Sequence, residues 1–126
     1  DKRIFDVNVT GTENVIRACN ENRLRRLIYT STYNVVFGGS PSNEIVDGDE
    51  SVSYLPHHRH CDAYSRTKAI AEQRILQAGR RQRVGREGGG GWQNKDEEDQ
   101  GKNTSLATCS LRPAAIYGEG ESRHFD

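Results

Sequence analysis

The sequence predicts an α/β fold organised on a parallel sheet, and three observations carry the prediction. Helical and strand-like stretches alternate along the chain in the order helix, strand, loop, helix, insertion, strand, which is the order of a parallel sheet. The run Leu27-Ile28-Tyr29-Thr30-Ser31-Thr32 is continuously apolar before its hydroxyls, as expected of a strand buried in such a sheet. At 126 residues the chain is the size of one domain.

The first element is a helix over residues 6–22. Val9, Val15, Ile16 and Cys19 form its apolar face, opposite Glu13, Arg17 and Glu21. Gly11 interrupts it and predicts a close approach to another element, because a helix-interior glycine costs about 1 kcal/mol relative to alanine. A basic turn at 23–26 leads into the strand at 27–32. Ligands of open α/β sheets bind at the carboxyl ends of the strands, where Thr30, Ser31 and Thr32 offer three consecutive hydroxyls. Those hydroxyls either contact a substrate or cofactor, or satisfy backbone groups where the strand turns into a loop.

Residues 35–60 read as loop, dense in turn signals such as Gly38-Gly39 and Asp47-Gly48. His57, His58, His60 and Cys61 invite a zinc site, but no second ligand pair stands at a suitable spacing. No metal is therefore assigned, and the histidines are read as leading into the next helix. That helix opens near Asp62 and frays by Gly79. It places Tyr64 and Lys68 four residues apart, roughly 40° around the axis and so on one face. An ammonium beside a phenol favours the phenolate, so such a pair can take a proton from an alcohol while hydride leaves its carbon.

From 80 to 103 arginines give way to four glycines and then to Asp96-Glu97-Glu98-Asp99, the composition of a disordered or solvated insertion. The glycines neither follow a strand nor open a helix, so they are not read as a phosphate loop. A second strand at 106–111 ends at Arg112-Pro113, where proline stops further pairing.

Net charge is zero, which gives no global pull toward nucleic acid; the basic block 80–86 is balanced by the acidic one. Mean hydropathy of −0.88 makes a full core in this chain alone doubtful. No apolar run reaches the roughly 18 residues of a membrane span. Three widely spaced cysteines, Cys19, Cys61 and Cys109, suggest reduced thiols and a reducing compartment. The chain opens at Asp1 and contains no methionine, as expected of an internal fragment.

Four motifs in order resemble the extended short-chain dehydrogenases/reductases. They are the helix from Val7 to Val15, the strand from Leu27 to Thr32, Tyr64-Ser65-Arg66-Thr67-Lys68, and Leu111-Arg112-Pro113 through Tyr117-Gly118. Details such as Tyr29-Thr30-Ser31-Thr32, Phe37-Gly38-Gly39 and the run from Tyr64 to Gln73 resemble the 3β-hydroxysteroid dehydrogenase/isomerase branch, especially its 42E relatives.

The resemblance implies a partial Rossmann-type domain spanning 1–126, a doubly wound parallel sheet without its amino-terminal glycine-loop unit and its carboxyl-terminal substrate region. It implies an NAD(P)-dependent oxidoreductase acting on CH–OH groups of a steroid or sterol, using NAD or NADP with NAD favoured. By position, Tyr64 would be the proton donor and acceptor. Lys68 would hold the nicotinamide ribose and lower the pKa of Tyr64. Thr32 would hydrogen-bond the substrate oxygen, and Asn8 would support the proton relay. Thr30, Ser31, Pro113 and Ile116 would line the cofactor. The expected setting is the cytoplasm or the cytoplasmic face of the endoplasmic reticulum membrane, with a homo-oligomer open. The competing expectation is a catalytically inactive, truncated relative that at most binds partners.

Overall fold

The computed structural model describes residues 2–39, 44–81, 106–114, 116 and 118–120. Its order is α1 (Lys2–Phe5), a π-helical stretch (Asp6–Thr10), α2 (Gly11–Glu21), β1 (Arg26–Thr30), α3 (Ala63–Arg81) and β2 (Ala107–Leu111), with 3₁₀ turns at Tyr33–Val35 and His57–Arg59. The first three form one continuous helical run, since Phe5, Thr10 and Gly11 all keep right-handed helical angles. Gly11 N–H reaches back five residues to the Asp6 carbonyl, the bond that defines the π turn. Gly11 is not the close-packing site expected of it. A Cβ there would meet only the Asp6 carbonyl, at an ordinary 3.7 Å.

The run ends in a Schellman motif. Leu24 N–H bonds the Cys19 carbonyl at 2.8 Å and Arg23 N–H bonds that of Asn20 at 3.1 Å, while Arg23 takes φ of 54°. The chain then enters β1, which pairs in parallel with β2 from Arg26↔Ala107 to Thr30↔Leu111. Ala107 N–H to the Arg25 carbonyl and Ser31 N–H to the Leu111 carbonyl extend the ladder at its two ends. With α3 as the crossover, these strands form a βαβ unit, the α/β architecture expected of part of a Rossmann-type domain.

The strand expected at 27–32 ends at Thr30, because Thr32 already caps the 3₁₀ turn that follows. It is also not buried on both faces. Burial alternates along β1 and β2, and Ile28 stays 68 % exposed, because the described residues pack helices against one face only. The core lies between that face and the helices, where Val9, Cys19, Ala69, Ala71, Ile75 and Leu106 are buried.

Helix α3 begins where Asp62 caps it, its Oδ1 accepting from Ser65 N–H at 2.6 Å. It does not fray at Gly79 but runs on through Arg81. A Cβ at Gly79 would lie 3.3 Å from both Cβ and backbone nitrogen of Thr108, so this glycine lets α3 press onto β2. Arg80 and Arg81 thus belong to the helix, and the rest of the insertion expected at 80–103, with Trp92, lies outside the described residues, as does Tyr117. Among the described residues no helix is long and apolar enough to cross a membrane.

Candidate active site

The amino-terminal turns of α3 lie beside the carboxyl end of β1, and that meeting brings Lys68 to Thr30. Lys68 Nζ donates to the Thr30 carbonyl at 2.6 Å and sits 4.2 Å from the centroid of the Tyr29 ring. One turn earlier, Tyr64 is 47 % exposed, open to a reactant. Partial burial pulls the Lys68 pKa below the usual lysine value, while the charges of Tyr64 and Glu72 push it back up.

Thr32 is buried, and its Oγ1 accepts from Asn34 N–H at 3.3 Å, capping the 3₁₀ turn Tyr33–Val35. The hydroxyl thus satisfies a backbone group, one of the two roles foreseen for it, and keeps its own proton to donate. Ser31 Oγ is buried without a well-formed hydrogen bond but close enough to Glu72 to favour its ionised form.

Asn8, in the π-helical stretch, braces the same place from behind. Its Nδ2 donates to Thr67 Oγ1 at 2.9 Å, and that hydroxyl bonds the Ala63 and Tyr64 carbonyls at 2.8 and 2.9 Å. The Asn8 carbonyl accepts from Thr12 Oγ1 at 2.7 Å. Asn8 thus reaches the Tyr64 backbone through Thr67.

Pro113 is half-buried and its carbonyl accepts from Tyr33 N–H at 3.2 Å, which ties the segment after β2 to the residue following Thr32. Ile116 is 65 % exposed. His57 and His58 are exposed on the 3₁₀ turn before α3, and burial lowers the pKa of His60 beside them.

One residue that sequence reasoning missed is Glu72, four residues beyond Lys68 and only 1 % exposed. Its Oε1 accepts from Arg112 Nη2 at 2.7 Å, Arg112 Nε at 2.9 Å and Tyr54 Oη at 2.7 Å. The Arg112 guanidinium also lies 5.0 Å from the Tyr54 ring centroid. Burial pushes the Glu72 carboxyl up, but the hydrogen bonds from Arg112 and Tyr54, with the nearby Ser31 hydroxyl, outweigh it and hold the pKa below the usual carboxylate value. The signal was present: an acid within the stripe of Ala69, Ala71 and Ile75, and an arginine where β2 ends.

A cavity of about 1220 Å³ opens beside this ion pair, walled by Phe37, Ile45, Val52, Leu76, Leu111 and Arg112. Tyr64 and Lys68 are not in its lining, although Tyr33, next to Thr32, is.

The βαβ unit carries Tyr64 and Lys68 one helical turn apart near the carboxyl end of β1, the arrangement expected from the resemblance to short-chain dehydrogenases/reductases. Comparison with known proteins narrows the class. Residues 1–89 match the 3-beta hydroxysteroid dehydrogenase/isomerase family, and the chain belongs to that family. It is 49% identical over 121 residues to short-chain dehydrogenase/reductase family 42E member 1 of Homo sapiens, covering 96% of this chain and 26% of that protein. Its identity to the Danio rerio protein of the same name is 50% over 123 residues, 98% of this chain and 27% of the relative. The Homo sapiens 3 beta-hydroxysteroid dehydrogenase type 7 is 40% identical over 120 residues, 94% of this chain and 27% of the relative. The chain thus spans about a quarter of the length of these relatives. No solved structure matches it.

Proposed function

We propose that this chain provides the proton-handling side of an NAD(P)-dependent oxidoreductase acting on CH–OH groups, with a 3β-hydroxysteroid or related sterol as substrate. The observation that carries the proposal is the placement of Lys68, whose ammonium rests on the Thr30 carbonyl at the strand end beside the exposed Tyr64. Membership of the 3-beta hydroxysteroid dehydrogenase/isomerase family supports the substrate class.

The residues fit a nicotinamide cofactor. Of the three N–H groups of Lys68, Thr30 occupies one, leaving two for ribose hydroxyls. When bound, the cofactor supplies hydride acceptance and donation. In the oxidative direction Tyr64 Oη takes the substrate hydroxyl proton, and in the reductive direction it returns one. Lys68 places positive charge beside the phenol. Thr32 donates to the substrate oxygen, with Asn34 N–H holding its hydroxyl in place. Asn8 keeps the first turn of α3 in position through Thr67. Thr30, Ser31, Pro113 and Ile116 would border the cofactor.

Fluorescence titration of the chain with NADH tests the proposal. Saturable binding is expected, weakened by Lys68→Gln. No saturable binding would instead favour the reading of a non-catalytic relative.

A further inference from the structure

Lys68 is held from β1 rather than from its own helix. Its two partners are consecutive residues of that strand: the Thr30 carbonyl at 2.6 Å and the face of the Tyr29 ring, 4.2 Å from the ammonium to its centroid. A lysine side chain is flexible and strongly hydrated, and one hydrogen bond to a carbonyl fixes a point without fixing the approach. An aromatic face on a second side supplies the missing constraint, since the ring quadrupole attracts the cation. We propose that Tyr29 is the positioning residue for Lys68, its ring setting the ammonium at the strand end before any cofactor arrives. The inference rests on the reading of Lys68 as the cofactor-holding cation.

Tyr29 is suited to that role because it is itself fixed. It lies on the inward face of β1, half-buried against the helices. Burial raises its pKa, only partly offset by the nearby Thr12 hydroxyl, so the ring under Lys68 remains a neutral phenol at neutral pH. Any apolar side chain could fill the space between strand and helix. Only an aromatic one offers the cation a face, so the proposal separates bulk from ring character.

The chain has four lysines, Lys2, Lys68, Lys95 and Lys102, which makes a ¹³C-labelled lysine NMR spectrum easy to assign with Lys68→Gln. Lys68 ε-protons above a ring face resonate upfield of the other three. Tyr29→Phe should keep that displacement and Tyr29→Leu should abolish it, with NADH binding about fivefold weaker in the leucine variant, equivalent to about 1 kcal/mol. Ordinary Lys68 shifts in wild type and Tyr29→Phe would overturn the proposal even if Tyr29→Leu fails to fold. An upfield Lys68 that Tyr29→Leu leaves in place in a folded protein would overturn it too. The two readings separate cleanly. Upfield shifts without NADH binding would keep the clamp and remove its role toward the cofactor, whereas binding without them would remove only the clamp.

Discussion

Lys68 and Glu72 stand one turn apart on α3, and burial acts on both with opposite outcomes. At Lys68 burial prevails, and the pKa falls toward the neutral amine. At Glu72 burial is met by Arg112, Ser31 and Tyr54, and the pKa falls toward the charged carboxylate. The difference lies in the partners. Lys68 has one carbonyl and one ring face, leaving N–H groups to spare. The Glu72 Oε1 is filled by three donors from two other segments, the end of β2 and the loop carrying Tyr54. The first arrangement leaves a cation ready to bind something; the second uses a charge to fasten the fold beneath it.

Removing Glu72 should therefore be the most damaging single change. Glu72→Ala leaves Arg112 and Tyr54 without their shared acceptor, at a cost of about 3 kcal/mol in urea unfolding. A loss below about 1 kcal/mol would place the ion pair among ordinary surface pairs.

The same carboxylate sets a pH dependence. Its folded-state pKa is lowered, so its stabilisation is present above the unfolded value of about 4.3 and is lost as pH falls through the folded value. Unfolding midpoints measured from pH 6 downward should fall, and Glu72→Gln should flatten the decline. An unchanged slope in that variant would assign it to other carboxylates.

Gly79→Ala comes next, since its Cβ would press on Thr108 and force α3 off β2 at about 2 kcal/mol of overpacking. Equal or greater thermal stability would mean that the contact yields easily. A smaller effect, about 1 kcal/mol, is expected in chemical unfolding of Asp62→Ala, which loses the cap on the turn bearing Tyr64. Smallest of all on stability is Tyr64→Phe, within about 0.5 kcal/mol, because the residue is exposed and its hydroxyl makes no hydrogen bond among the described residues.

What could be read from the sequence was what is local. Tyr64 and Lys68 share a helix face by spacing alone, and Thr32 stands just past a strand end of the kind at which open α/β sheets bind ligands. The alternation of elements was enough for the βαβ unit. What escaped was set by distant pairing. Asn8 meets Thr67 across 59 residues, Lys68 meets Thr30 across 38, and Glu72 meets Arg112 across 40. No periodicity encodes such meetings. Gly79 and Gly11 were exchanged for a related reason: a glycine announces freedom but not its use. Gly79 serves the close approach to β2, whereas Gly11 follows a π turn that a 3.6-residue period does not reveal.

The central claim is that Tyr64 exchanges the proton while the rest of the site holds the reactants. It is tested most directly by comparing wild type and Tyr64→Phe for NAD(P)-dependent oxidation of a 3β-hydroxysteroid, with NADH binding measured on the same samples. Turnover should fall by about 100-fold or more, the range of a general acid–base contribution, while NADH binding is largely spared. Unchanged turnover in the phenylalanine variant would contradict the account.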